Sequence, residues 1–231
     1  MILFAGDPHG SYEHLYPFLQ ENNNVALIIL GDLQLSSPDE LEKLAQYCDI
    51  WFIHGNHDSK TVAAFDAIWG SEWKHRNLHN RVEEIQGVRI AGLGGVFRGQ
   101  IWMPPNRPMY FDPIHYCQYS SQEKIWRGGL PLHHRTSIFP SDIEILENKK
   151  ADILICHEAP KPHPMGFQVI NELAEKMGVQ HIFHGHHHDN FIYKTQHSYK
   201  ITNVGFRSLA DVGGNYLLKN IDDREGRQNT V

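Results

Sequence analysis

Two pairs of residues with the same spacing carry groups that could do chemistry in this chain of 231 residues. Asp7 and His9 form a D-x-H pair near one end, and His186 and His188 form an H-x-H pair near the other. Side chains alternate in direction along extended backbone, so residues two positions apart can face the same side. Each pair can therefore direct two ligand groups at one metal ion.

Three single residues complete the set of candidate metal ligands: Asp32, Asn56 and His157. The two carboxylate oxygens of Asp32 suit it to bridge two cations, whereas Asn56 offers an amide oxygen and His157 an imidazole nitrogen. The seven residues form a mixed nitrogen and oxygen set without a thiolate. Such a set favours manganese, iron or zinc over calcium or a soft metal.

Five short apolar segments come directly before these residues and must position them. Continuous apolar segments of this length predict strands that are buried on both faces. Segments of helical character lie between them, and this alternation predicts a mainly parallel α/β sheet. In such a sheet the ligand crevice lies at the carboxyl ends of the strands, where all the candidate residues fall. The predicted strands are 2–5, 25–30, 50–53, 152–155 and 181–183, and the predicted helices are 12–21, 38–47, 60–69 and 166–177.

Two further segments have the pattern of hairpins. Residues 82–94 predict two strands that are joined near Gln86-Gly87. Residues 191–204 predict a second hairpin with its turn at His197-Ser198.

Between residues 96 and 140 the periodic pattern is lost among prolines, arginines and aromatic residues. So long an irregular segment in one domain indicates a functional loop or lid. The length of the chain suits a single domain. We therefore expect one domain over residues 1–221, with a lid or insertion at 96–140, followed by a polar tail at 222–231.

Composition and charge exclude several classes of function. The formal net charge of −6 leaves no broad basic field for a long nucleic-acid track, so a small substrate is expected. The three cysteines, Cys48, Cys117 and Cys156, lack C-x-x-C spacing and predict neither a disulfide framework nor a thiolate zinc site. The sequence has no signal-peptide pattern and no apolar run of about 20 residues, so we expect a cytoplasmic protein without a membrane partner.

The order of the motifs resembles that of the calcineurin-like metallophosphoesterases. The motifs are D-x-H at 7–9, G-D at 31–32, G-N-H-D at 55–58, a lone histidine at 157 and G-H-x-H at 185–188. The resemblance covers about residues 1–205 and implies a four-layer α/β/β/α sandwich, with two mixed β-sheets flanked by helices. The G-D-x-x-D-R-G motif of phosphoprotein phosphatases is absent, because Leu33-Gln34-Leu35 follows Asp32. Phosphodiesterase or small phosphomonoesterase activity is therefore favoured over protein phosphatase activity.

The resemblance also implies roles for the seven candidate ligands and for His57. One metal ion would be held by Asp7, His9, Asp32 and His188, and the second by Asp32, Asn56, His157 and His186. A hydroxide bridging the two ions would attack phosphorus, and His57 would protonate or stabilise the leaving oxygen. Asp58 would orient His57. The candidate substrate contacts are Arg98, Arg127, His134 and Arg135, since arginine suits bidentate contact with phosphate.

Three functions remain open on the sequence alone. The leading hypothesis is a phosphodiesterase or phosphatase that acts on a small or nucleotide-like phosphate ester. A nuclease for short or single-stranded nucleic acid is the second hypothesis, and its binding would depend strongly on salt. The third is a catalytically silent scaffold with the same fold. The presence of all seven ligands and of His57 disfavours the scaffold.

Overall fold

The computed structural model describes residues 1–193 and 198–220. Within these residues the chain forms two β-sheets and six α-helices. The strands are β1 Ile2–Ala5, β2 Val25–Ile29, β3 Cys48–Phe52, β4 Val82–Ile85, β5 Val88–Leu93, β6 Ile153–Cys156, β7 His181–His184, β8 Phe191–Tyr193, β9 Lys200–Asn203, β10 Leu209–Asp211 and β11 Tyr216–Leu218. The α-helices are α1 Tyr16–Glu21, α2 Asp39–Leu44, α3 Val62–Trp69, α4 Pro113–Tyr119, α5 Pro140–Glu147 and α6 Gln168–Met177.

Both sheets have a parallel centre and antiparallel edges. The first sheet has the order β11-β10-β1-β2-β3, in which β1, β2 and β3 are parallel. The second has the order β4-β5-β6-β7-β9-β8, in which β5, β6, β7 and β9 are parallel. All five predicted strands are present, and the two mixed sheets confirm the fold class implied by the resemblance.

The two sheets pack face to face through apolar side chains. Phe4 of β1 stacks on Phe183 of β7 with 3.9 Å between ring centroids, and both are fully buried. Ile28 and Ile155 belong to the same buried cluster. Because side chains alternate along a strand, the neighbours of these residues face outwards to the helices.

The helices cover the outer faces of the sheets. On the first sheet, Leu27 and Ile29 pack in a cluster with Leu41 of α2 and Ile68 of α3. On the second sheet, a separate cluster joins β6 and β7 to α5 and α6. Helix, sheet, sheet and helix therefore form the four predicted layers. α6 has 10 residues and is capped by Gly178, whose φ of 73° is the left-handed conformation that glycine adopts most readily.

The helices are shorter than the sequence predicts. The first begins at Tyr16 rather than at residue 12, because residues 12–15 form turns ahead of a proline in the first helical turn. The third begins after Thr61, whose side chain accepts a hydrogen bond from the Ala64 amide at 3.1 Å. In the described part of the chain, no helix is long and apolar enough to cross a membrane.

The predicted hairpins are present, and one further strand pair was not predicted. β4 pairs with β5 across Gln86-Gly87, and β8 pairs with β9, both antiparallel. Of the turn predicted at His197-Ser198, residue 197 lies outside the described residues, as does the tail at 222–231. β10 and β11 form the unpredicted pair, which joins the first sheet next to β1.

The 96–140 segment is more ordered than the sequence predicts. It contains α4 and two 3-10 turns, Gln122–Lys124 and Leu132–Thr136. Four apolar residues form a small core of its own, and three of them come from outside the helix and turns. These residues are Ile101, Tyr116, Leu130 and Phe139. The role of this segment as a lid stays a prediction.

Candidate metal centre

The candidate ligands lie at the carboxyl ends of five parallel strands. Asp7 and His9 follow β1, Asp32 follows β2, Asn56 follows β3, His157 follows β6, and His186 and His188 follow β7. The loops after β1 and β2 are joined by hydrogen bonds from the His9 amide to the Asp32 carbonyl and from the Gly10 amide to the Leu33 carbonyl, both at 3.0 Å. Because the two sheets pack face to face, these strand ends meet at one edge of the sandwich.

Five of the seven candidate ligands have a left-handed backbone conformation, which is uncommon for residues other than glycine. Such a conformation costs about 1–3 kcal/mol per residue and is concentrated at functional sites. The φ angles are 35° at Asp7, 46° at His9, 50° at Asp32, 74° at His186 and 63° at His188. The packing of the surrounding strands must therefore hold these residues in place against their local preference.

Two glycines allow the ligands to approach one another closely. A Cβ atom on Gly31 would overlap the imidazole ring of His157. A Cβ atom on Gly55 would overlap the carboxylate of Asp32 and the same ring. Any larger residue at either position would therefore push the ligand side chains apart.

His157 is the centre of one group of ligand atoms. Its Nε2 atom lies 3.3 Å from Asn56 Oδ1 and 3.5 Å from Asp32 Oδ1. Its ring centroid lies 4.8 Å from that of His186. The Nδ1 atom lies 2.8 Å from the Leu30 carbonyl oxygen, to which it donates a hydrogen bond. That bond leaves the Nε2 lone pair free for a metal ion.

The second group contains His9 and His188. Their Nε2 atoms are 3.0 Å apart, and His9 Nε2 lies 3.7 Å from Asp32 Oδ2. Asp7 Oδ2 accepts a hydrogen bond from the His186 amide at 2.9 Å. Asp32 thus contributes one oxygen to each group, and the structure brings all seven candidate ligands together.

The electrostatics of the cluster fit bound cations. Burial, together with the nearby Asp32 carboxylate, raises the pKa of Asp7. Burial acts to lower the pKa of His157, but the Asp32 and Asp7 carboxylates outweigh it and raise the pKa. Asp7 Oδ1 is buried and makes no hydrogen bond within the described residues. Raised pKa values mean that these buried groups retain protons to balance the negative charge of the carboxylates. Bound metal ions would supply that positive charge instead.

His57 lies at the edge of the cluster. Its amide donates a hydrogen bond to Asp32 Oδ1 at 2.8 Å, and its Nε2 atom is 4.0 Å from Asp32 Oδ2. Burial lowers its pKa, although the Asp32 carboxylate opposes this shift. The side chain is 30% exposed, compared with 2% for Asp32. His57 can therefore face both the ligands and a bound substrate.

Asp58 supports the loops that carry the ligands. Its two carboxylate oxygens accept hydrogen bonds from the Gln34 amide at 2.7 Å and the Gly55 amide at 2.8 Å. Burial and the nearby Asp32 carboxylate raise its pKa to about 7. Among the described residues its carboxylate makes no hydrogen bond to the His57 ring, and a role for Asp58 in orienting that ring stays a prediction.

Of the four candidate substrate contacts, Arg98 is coupled electrostatically to the ligands. Its guanidinium group interacts with the carboxylates of Asp32 and Glu158. It also donates hydrogen bonds to the Thr136 carbonyl at 2.8 Å and to the Ser137 hydroxyl at 3.0 Å. Arg98 thus connects the metal centre to the end of the 96–140 segment.

The other three candidate contacts have partners elsewhere. Arg127 forms an exposed ion pair with Asp66 of α3. Arg135 donates hydrogen bonds to backbone carbonyls within the segment, at Leu130 and Trp126. His134 is buried and bonded to Ser137 at 3.0 Å. The contacts of Arg135 and His134 hold the segment together, and that of Arg127 joins it to α3. A role for the three residues in substrate binding stays a prediction.

Sequence reasoning missed Gln34 and Phe206. Gln34 Oε1 lies 3.0 Å from His9 Nδ1, and this bond orients the ring so that Nε2 faces the cluster. The spacing of two residues from Asp32 could have indicated Gln34, because the paired ligands have the same spacing. Phe206 lies with ring centroids 5.9 Å from His9 and 5.3 Å from His188. No sequence signal marks Phe206.

Comparisons with known proteins identify the family of the chain. Residues 1–190 match the family described as calcineurin-like phosphoesterase. An uncharacterized protein of Haemophilus influenzae is 81% identical over 225 residues, which cover 97% of this chain and 100% of the relative.

Two solved structures share the fold. The protein TT1561 of Thermus thermophilus has a TM-score of 0.58 and 16% identity, with 91% of this chain and 93% of that chain covered. The phosphopantetheinyl hydrolase PptH from Mycobacterium tuberculosis has a TM-score of 0.53 and 12% identity, with 100% and 92% covered. The family match includes all seven candidate ligands and His57, and it confirms the resemblance found in the sequence: this chain belongs to the calcineurin-like phosphoesterase family.

Proposed function

We propose that this protein is a metal-dependent hydrolase of small phosphate esters, either a phosphodiesterase or a phosphatase. The observation that carries the proposal is the convergence of the seven candidate ligands around Asp32, whose two carboxylate oxygens face His157 and His9. One set would consist of Asp7, His9, Asp32 and His188, and the other of Asp32, Asn56, His157 and His186. The donor atoms suit manganese or iron, and also zinc.

The bound ions would neutralise phosphoryl oxygens and make water a stronger nucleophile. The side chains of the protein would orient the ligand rings and protonate the leaving oxygen. Gln34 holds the His9 ring, and Leu30 holds the His157 ring, each through Nδ1. In the neutral imidazole these bonds place the single proton on Nδ1 and direct Nε2 into the cluster.

His57 is the proposed general acid. Its backbone is fixed to Asp32, and its partly exposed ring stands beside the ligands at the rim. Burial lowers the pKa of the ring, and the Asp32 carboxylate opposes this shift by favouring the protonated imidazole that a general acid requires. In this role the ring would donate a proton or hydrogen bond to the leaving oxygen.

The substrate is proposed to be a small or nucleotide-like ester. The net charge of −6 gives no broad attraction for a long polyanion. PptH, which shares the fold, is itself named as a hydrolase of a phosphopantetheinyl group. Membership of the phosphoesterase family and the accessible rim around His57 favour hydrolysis over a silent scaffold.

Hydrolysis of p-nitrophenyl phosphate and bis-p-nitrophenyl phosphate tests the proposal. Protein stripped with a chelator and refilled with manganese should cleave at least one of them. His57→Ala should lower kcat about 100-fold while retaining its metals. His75→Ala is the matched control, because His75 is an exposed histidine with 68% side-chain accessibility and lies on a separate turn. Two bound metals without cleavage of either ester would overturn the proposal.

A further inference from the structure

A cavity of about 510 Å³ lies within the 96–140 segment. The rings of Tyr110, Tyr116 and Trp126 line it, together with the polar side chains of Gln100 and Lys124. Small-molecule sites combine apolar and aromatic walls with a few polar groups in this way. The volume falls within the range of about 300–1,000 Å³ that is usual for such sites.

One wall of the cavity contacts the turn that carries His57. His133 lines the cavity and belongs to the 3-10 turn Leu132–Thr136. The Ser59 hydroxyl, two residues beyond His57, is hydrogen-bonded to the Thr136 hydroxyl at 2.6 Å. The same hydroxyl donates to the His133 carbonyl at 3.5 Å. The turn that forms this wall of the cavity is therefore in contact with the turn that carries His57.

Arg98 links this wall to the ligands. Its guanidinium group interacts electrostatically with Glu158, with Asp32 and with His133. It is held by the Thr136 carbonyl at 2.8 Å. Gln100, two residues further along the chain, lines the cavity. The cavity wall is therefore joined through Ser59 and Arg98 to the loops that carry His57 and Asp32.

The charges around the cavity favour an uncharged occupant. Glu123 and Lys124 are the oppositely charged side chains among the described residues that line it. Burial and the Arg98 guanidinium lower the pKa of His133, so it adds no positive charge near pH 7. A second phosphate group would meet one lysine beside a glutamate. A planar ring with polar edges would contact the aromatic walls and would find both hydrogen-bond donors and acceptors.

We propose that this cavity holds a neutral heteroaromatic ring of the substrate, such as the base of a nucleoside phosphate ester. The proposal rests on the proposed function, because the ring is joined to the phosphate that the metal centre would cleave. Stacking on the tyrosine and tryptophan rings and hydrogen bonds to Gln100 and Lys124 would recognise it.

Two matched measurements test the proposal on the full chain loaded with manganese. The first is calorimetric binding of adenosine and of uridine, compared with ribose, which lacks the base. The second compares kcat/KM for phosphate release from adenosine 5′-monophosphate with that from glycerol 3-phosphate, since both leave as primary alcohols. We expect both nucleosides to bind where ribose does not, and the nucleotide to be preferred at least about tenfold.

Variants connect these effects to the cavity. Tyr110→Ala and Trp126→Ala each remove one ring from the lining, and both side chains are partly exposed, so both variants should fold. Each should weaken nucleoside binding about tenfold or more, within the range measured for loss of one stacking ring. Tyr119→Ala is the matched control, because Tyr119 is 74% exposed on α4 and does not line the cavity.

The outcomes separate this proposal from the proposed function. Nucleosides that bind no better than ribose, or variants that fold and bind them like the control, would overturn the cavity proposal even if both esters are hydrolysed. Cavity-dependent nucleoside binding without hydrolysis of any ester would overturn the proposed function and support the binding site.

Discussion

The metal centre and the 96–140 segment are built in opposite ways. Each candidate ligand lies a few residues beyond a buried strand, so the packing of two sheets fixes its position. The 96–140 segment relies on one short helix, two turns and a small core of its own. The comparison indicates that the rigid sheets position the candidate ligands, whereas the more independent segment carries the cavity that we propose selects the substrate.

The strongest test of this contrast is the stability of the two cores. Phe183→Ala removes a fully buried ring from between the sheets and should lower the free energy of unfolding by about 3–5 kcal/mol. Leu130→Ala in the small core of the segment should cost about 2 kcal/mol, because its surroundings can collapse more easily. Urea unfolding of both variants measures the difference. An equal or greater loss for Leu130→Ala would contradict the contrast.

The sheets that carry the metal centre and the 96–140 segment each contain a buried histidine with a lowered pKa. Burial lowers the pKa of His181 in β7 and that of His134 in the segment to about 4, from an ordinary value of 6.5. The unfolded chain therefore binds protons below pH 6.5 that the folded chain does not bind until about pH 4. Stability should fall as the pH decreases across this window, by up to about 3 kcal/mol for each residue.

His181→Gln and His134→Gln should each reduce this pH dependence. Chemical unfolding between about pH 4 and 7 measures it, and His75→Ala serves as the control because His75 is exposed. Slopes that match the wild-type slope in both variants would show that neither buried histidine resists protonation.

The smallest expected effect concerns the support of a single ligand. Gln34→Ala removes the hydrogen bond that orients the His9 ring and should weaken metal binding about 10-fold to 100-fold. Gln34→Glu retains an acceptor and should preserve most of the affinity. Competition with a fluorescent chelator measures the affinity of each variant. Unchanged affinity in Gln34→Ala would show that the sheets alone position His9.

Much of the fold follows from local sequence. Strands such as β2 and β6 are short apolar runs that end at a polar cluster, a pattern that one segment carries by itself. The polar residues after these strands indicated the site, because each of them directly follows an apolar run in the sequence. The division of the strands between two sheets came from the family resemblance, because apolar runs do not reveal which strands pair.

Features that depend on distant contacts were not predictable. Asp58 holds the amide of Gln34, a residue 24 positions away, and only the folded chain brings them together. β10 and β11 have three residues each, too few for a periodic pattern. The partners of Arg127 and Arg135 were not predictable either. The sequence does not distinguish an arginine that binds phosphate from one that binds a carboxylate or a carbonyl of its own chain.

The central claim, that Asp32 joins two metal sites, is tested most directly by counting metal ions. Chelator-stripped protein titrated with manganese should bind two ions per chain, and His75→Ala should bind the same number. Asp32→Asn should lose tight binding at both sites, because each set of ligands loses a carboxylate oxygen. Two ions bound by Asp32→Asn with wild-type affinity, or fewer than two bound by the wild type, would contradict the shared centre.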